Sequence, residues 1–176
     1  MNTMTKFKWF WAWQDEKEEA WLAERAKEGY HLESISLPGQ YTFRQGEPGN
    51  YIYRLDFQPL RAKDRDSYFQ LFADAGWEHI GDMSGWVYFR HKVNGGEPPE
   101  IYSDLESKIG KYRRLISYLI IFLPIMIILI PRVSDTEILG PFRFILALLS
   151  AFFMLLYSLA MIQIFRRINQ LKGKEL

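Results

Sequence analysis

The sequence predicts an α+β fold: a cytoplasmic domain of ferredoxin-like β-α-β-β-α-β order, followed by a two-helix transmembrane hairpin. Three observations predict it. Aromatic-rich alternating stretches surround two amphipathic segments in the first hundred residues. That region repeats itself at an offset of 46 to 47 residues, and two uncharged apolar runs close the chain. A doubled βαβ unit is the sequence signature of the split-βαβ fold.

The elements follow in order. Residues 6–13 (KFKWFWAW) carry large aromatics at strand density. The cationic, aromatic start faintly suggests a signal peptide. Its aromatic run is short and is followed at once by QDEKEE with no small-residue cleavage site, so it reads as a strand. Asp15 to Glu28 reads as a helix with acids in its first turn, a buried stripe of Trp21, Leu22 and Ala26, and a stop at Gly29. HLESISL and QYTFRQ are extended and broken by Pro38–Gly39, and NYIYRLDF alternates strongly after the turn GEPGN. A second helix, Asp64 to Ala75, is expected to bury Tyr68, Phe69, Leu71 and Phe72 and to stop at Gly76. WEHIGDM and GWVYFRHKV read as a strand or hairpin.

The internal repeat aligns ERAKEGYHLESI with LFADAGWEHIGD, so that Gly29 meets Gly76 at an offset of 47. YTFR at 41–44 meets VYFR at 87–90 at an offset of 46, which one deletion between the halves explains. Each segment after a helix is long enough for two short strands, so a sheet with extra hairpins is the alternative to the ferredoxin-like order.

Charge divides the chain. Residues 1–105 hold 12 Lys/Arg against 17 Asp/Glu, a net −5; residues 106–176 hold 10 against 4, a net +6. The overall +1 and the mean hydropathy of −0.17 average a water-facing acidic domain with a membrane module. With no cysteine, disulfides, thiolate metal sites and a cysteine nucleophile are excluded.

The uncharged runs Leu115 to Pro131 and Phe144 to Phe165 span 17 and 22 residues. A bilayer core of about 30 Å takes about 20 apolar residues, and snorkelling Arg113 and Arg114 extend the shorter run. Pro124 removes a backbone donor in mid-span and is expected to kink it. Lys108, Lys111, Arg113 and Arg114 precede the first run. Arg166, Arg167, Lys172 and Lys174 follow the second, against only Arg132 and Arg143 between them. Positive residues stay inside, so both termini are expected in the cytoplasm of a multi-pass cell-membrane protein. The expected organisation is a domain at 1–92, a linker at 93–100 and a juxtamembrane amphipathic helix at 101–114. Transmembrane helices follow at 115–131 and 144–165, with an extracytoplasmic loop at 132–143 and a basic cytoplasmic tail at 166–176.

Candidate binding residues come from the aromatic strands. Trp9, Trp11 and Trp13 alternate with Lys8, Phe10 and Ala12; Tyr51 and Tyr53 alternate with Ile52 and Arg54. In a ferredoxin-like sheet these two strands are central neighbours. Either the aromatic face packs under the helices and leaves Lys8, Arg54 and Asp56 in water, or the aromatics stay open as a docking surface. RNA is a poor partner for such a surface. The domain charge repels phosphate, and Tyr51, Tyr53 and Phe57 share one face where the RNA-recognition signature splits them. His31 with Glu33, or Glu78 with His79, offers two metal ligands without a third at a recognisable spacing. DEKEE reads as a solvated helix start. No nucleophile elbow, phosphate loop or dinucleotide-binding glycine pattern is present, which argues against an enzyme and against a cofactor.

Together WLAERAKEGYHLESI, YTF, YIYRLDF, YFQLFADAGWEHI and GWVYFR resemble the bacterial domain of unknown function 2812, over residues 4 to about 92. The resemblance implies a Gram-positive setting, transmembrane helices after the domain, and association with a PadR-type transcriptional repressor. It implies no catalytic residue. The expected function is a membrane-anchored cytoplasmic binding or sensory module that regulates a protein partner. Its expected partners are the lipid bilayer, an unidentified membrane or regulatory protein and a second copy of the chain, with no direct nucleic acid. The alternatives are an accessory subunit of a membrane transporter, recognised through its spans, and a small-molecule-binding domain.

Overall fold

A computed structural model of the chain describes residues 2–59, 61–93, 95, 99–102, 104–134 and 142–173. The chain divides into two compact units, Met1–Asp104 and Leu105–Leu176.

The first unit is α+β, built as β1 (Thr3–Phe7), α1 (Asp15–Lys27), β2 (Tyr30–Ser36), β3 (Gln40–Gln45), β4 (Tyr51–Phe57), α2 (Arg65–Asp74), β5 (Glu78–Met83) and β6 (Trp86–Lys92). Its described residues form six strands in two three-stranded antiparallel sheets, ordered β1-β3-β2 and β4-β6-β5. The ferredoxin-like expectation, one sheet with the first strand beside residues 51–57, is therefore corrected. The extra-hairpin alternative describes the structure. Each segment after a helix folds back through a tight turn into a local antiparallel hairpin. The strand opening each half then pairs with the far arm of its own hairpin, β1 with β3 and β4 with β6.

The internal repeat is a repeat of this β-α-β-β unit. Gly29 and Gly76 follow α1 and α2 with φ of 84° and 81°, the left-handed conformation that glycine adopts without steric cost. In β2 the ladder skips Glu33 between Leu32 and Ser34; in β5 it skips Ile80 between His79 and Gly81. The two bulges are 47 residues apart. The offset drops to 46 inside the hairpin turns, because Ser36 pairs with Gln40 whereas Met83 pairs with Trp86. One residue fewer in the second turn is the deletion that the sequence repeat requires.

The first strand is shorter and earlier than expected. Its ladder runs from Thr3–Arg44 to Phe7–Gln40 and stops where β3 stops, at the hairpin turn. Beyond Phe7 only the Lys8 amide, donating to the Gly39 carbonyl at 3.0 Å, continues the pairing. Trp9, Trp11 and Trp13 consequently lie outside the strand.

The two halves are interlocked. α1 of the first packs on β4 of the second as well as on β2, and the edge strands β2 and β5 run beside each other. Leu22, Ala26, Leu32, Tyr41, Phe43, Tyr53, Leu55 and Phe57 are buried in this interior. Phe72, Trp77, Val87 and Phe89 form a second cluster, onto which Ile52, Tyr68, Phe69 and Ile101 pack. Leu71, expected inside, is 66% exposed, because the buried stripe of α2 runs through Tyr68, Phe69 and Phe72. Ile101, expected to open an amphipathic juxtamembrane helix, instead packs on this cluster.

The second unit consists of α3 (Leu105–Ser134) and α4 (Phe142–Lys172), packed against each other. At about 1.5 Å per residue each is about 45 Å long, more than a bilayer core of about 30 Å. α3 joins the expected juxtamembrane segment and first span in one helix that continues through Pro124. Among the described residues one helix is long and apolar enough to cross a membrane, over Ala147–Lys172, and only 6% of its most apolar window is buried. Residues 135–141 of the expected extracytoplasmic loop, 94 and 96–98 of the expected linker and 174–176 of the tail lie outside the described residues.

Candidate functional site

Where β2 and β5 meet, the first unit has a cleft of about 310 Å³ lined by His31, Leu32, Glu33, Arg44, Tyr51, Glu78, His79, Ile80 and Arg90. The repeat builds it. Arg44 on β3 and Arg90 on β6 are 46 residues apart, close the two YTFR/VYFR motifs, and reach the seam from opposite halves. His31 and Glu78, 47 apart, are the residues directly across the ladder from them.

The two arginines are held differently. Arg90 donates to Glu78 through Nε at 3.1 Å and through Nη2 at 2.8 and 2.7 Å, a bidentate pair. Its guanidinium lies 5.3 Å from the Tyr51 ring centroid, and its side chain is 15% exposed. Arg44 pairs with Glu33 through Nη2 alone and is 49% exposed. His31 Nε2 donates to the Glu47 carbonyl oxygen at 2.8 Å. Its Nδ1 is buried with no hydrogen-bond partner. The His31 ring meets Tyr51 edge-on at 4.9 Å. His79 is anchored by Asp82 Oδ1 at 2.8 Å and stacks on Phe69 at 4.1 Å.

The same unit holds a set of buried carboxylates. Glu18 Oε1 accepts from Tyr41 and Tyr88, each at 2.7 Å, so one oxygen of α1 ties β3 of the first half to β6 of the second. Burial pushes the Glu18 carboxyl above the usual carboxylate range, although both hydroxyls act in the opposite direction. Glu19 accepts from the Leu55 amide at 2.8 Å and lies 3.6 Å from Arg54. Asp56 accepts from Tyr68 at 2.8 Å and from Tyr102. The solvated helix start expected from DEKEE is thereby corrected: Asp15, Glu18 and Glu19 are buried beside Leu22 and Ala26 along one helical stripe. Buried acids persist where hydrogen-bond donors replace water, and the strand tyrosines and the Leu55 amide supply them.

The aromatic residues singled out from the sequence do not share one surface. Trp9 and Trp11 are 53% and 39% exposed, and Trp13 stacks on Trp11 with centroids 5.3 Å apart. Tyr51 stands in the cleft. Tyr53 is buried, and its hydroxyl accepts from the Leu32 amide at 3.4 Å across the seam. Pairing β4 with β6 instead of β1 is what separates Tyr51 and Tyr53 from the tryptophans. Asp56, expected in water, is buried as well. Sequence reasoning did not single out Arg44 and Arg90. The signal was present, since both halves place arginine at the same motif position. His31 and Glu78, at equivalent positions of the repeat, both line the cleft. Among the described residues no three metal-ligating side chains converge.

No curated protein and no solved structure matches the chain. A family model, a protein of unknown function designated DUF2812, matches residues 14–124, from just before α1 into α3. That match covers more than half of the sequence, and the chain belongs to the DUF2812 family.

Proposed function

We propose that this protein is a membrane-anchored module whose cytoplasmic α+β unit senses a small ligand and regulates a protein partner. The carrying observation is the seam cleft: a small, polar, charge-bearing hollow formed jointly by both repeats, so that occupancy bears on how the halves meet. Small-molecule sites are clefts of about 300–1,000 Å³ that hold a few convergent polar groups, and this cleft stands at the small, polar end of that range.

Anchoring in this reading uses both helices as a transmembrane hairpin, 115–131 and 144–165, with both termini in the cytoplasm. α4 supports it. Phe144, Leu148, Phe152, Leu155, Leu159, Ile162 and Phe165 are all exposed along its length, an apolar surface that lipid covers and water does not. The basic residues flanking the two runs supply the orientation. By family resemblance the regulated partner is a PadR-type repressor. An accessory role beside a transporter, through the spans, is the second reading, and the exposed apolar length of α4, open to a neighbouring span, is what favours it.

Affinity purification of the full-length chain from its native membranes tests the proposal. A near-stoichiometric protein is expected, with its yield altered by Arg44→Ala in the cleft. Recovery of the chain alone, or a partner lost only when both spans are exchanged for an unrelated hairpin, counts against it.

A further inference from the structure

We propose that the seam cleft binds a small zwitterion of amino-acid type with a short apolar body, its carboxylate on Arg44 and its ammonium between Glu33 and Glu78. The inference rests on the sensing role above and specifies its ligand.

Charge sets the class. Arg44 and Arg90 face Glu33 and Glu78, so the four charges balance within one cleft. A polyanion such as a nucleotide meets two carboxylates there, on a unit of net −5, and is repelled. A simple cation meets two guanidinium groups. A molecule carrying both charges at a short separation complements the cleft without leaving a charge unpaired.

The two arginines divide the work. Arg90 is committed: three contacts to Glu78 and its place over Tyr51 hold it as part of the wall. Arg44 spends one nitrogen on Glu33, and the rest of its fork, half-exposed, matches the planar geometry of a carboxylate. Glu78, 60% exposed, meets Arg90 with both oxygens, yet an ionised carboxylate offers about four lone-pair sites and retains capacity for an ammonium. Leu32, Ile80 and the Tyr51 ring provide apolar wall between the charged groups.

Size permits it. At about 30 Å³ per water, 310 Å³ holds about ten waters, room enough for a free amino acid.

Calorimetric titration of the full-length chain in lipid nanodiscs decides the matter. The probe is leucine, set against 3-methylbutylamine, 4-methylpentanoate and inorganic phosphate. Leucine is expected to bind, with amine and acid each at least tenfold weaker. Arg44→Ala is expected to weaken leucine at least tenfold, and Glu33→Gln to erase the preference for leucine over the acid. Both residues are partly exposed, and an unchanged thermal transition verifies each variant's fold. Equal binding of the acid, preference for phosphate, indifference to Arg44→Ala, or no heat from leucine overturns the proposal. A null titration with partner recovery intact removes this ligand class alone, whereas loss of the partner from wild-type membranes removes the sensing role.

Discussion

Tyr41 and Tyr88, on strands from different halves of the repeat, donate to the same oxygen of Glu18, each at 2.7 Å. The duplication did not produce this pairing by symmetry, since the residues equivalent to them at an offset of 46 are Val87 and Thr42. The junction is a contact that the two halves acquired through α1.

Replacing Glu18 separates its charge from its hydrogen bonds. Glu18→Gln keeps an acceptor for both hydroxyls and removes the buried charge. Glu18→Ala strands both donors and costs about 3 kcal/mol. Because burial raises the folded carboxyl above its ordinary 4.5, folding favours the protonated form. That stabilisation is complete below pH 4.5 and is lost as pH rises through the raised folded value. Wild type should therefore lose stability relative to Glu18→Gln across that window, read by tryptophan fluorescence during denaturation. A difference independent of pH would show that Glu18 does not titrate as described.

The β5–β6 turn has positive φ at both central residues, 52° at Ser84 and 86° at Gly85, the type I′ geometry that Asn-Gly favours. Ser84→Asn is expected to raise stability by about 0.5 kcal/mol. Gly85→Ala should lower it by more than about 1 kcal/mol, since its methyl would also sit 2.9 Å from the Phe57 ring. Melting temperatures of the two variants should move in opposite directions.

At the seam, Gly81 on β5 faces Ile35 on β2, and an added methyl would meet Ile35 Cδ1 at an ordinary 3.9 Å. Gly81→Ala should stabilise the unit by about 0.5 kcal/mol, by restricting the unfolded chain and adding a contact between halves. Hydrogen exchange of the β2 and β5 amides, slowed in the variant, is the check. Faster exchange would mean that the strands lie further from mutual contact than 3.9 Å implies.

Leu155, 59% exposed near the middle of α4, tests the membrane assignment. Leu155→Arg places a charge at mid-span and costs about 3 kcal/mol of insertion. The variant should leave the alkali-resistant membrane fraction, whereas Leu37→Arg, equally apolar and exposed on the first unit, should not. Retention of Leu155→Arg in that fraction would argue against a lipid-facing α4.

Much of the local structure was legible. Acids in the first turn and a glycine after the last mark α1 and α2 because the helix dipole and the left-handed stop act over a few residues. The repeat, including its single deletion, was legible because equivalent turns reuse equivalent residues. Less of the site was. Glu18 and Glu19 looked solvated because their partners, Tyr41, Tyr88 and the Leu55 amide, lie 23 to 70 residues away. Tyr51 and Tyr53 were grouped with the tryptophans because strand parity assigns a face only after the neighbouring strand is known.

By itself, then, the sequence determined the α+β composition, the duplicated unit with its helix ends and turns, the family and the apolar run of α4, all of which rest on short-range patterns. Only the tertiary structure decided which strands pair, which carboxylates are buried and that Arg44 and Arg90 share a cleft. Those outcomes depend on hydrogen-bond partners brought together across the fold. A side chain's periodicity gives its direction relative to its own backbone, and what it meets there is set by the other half of the chain.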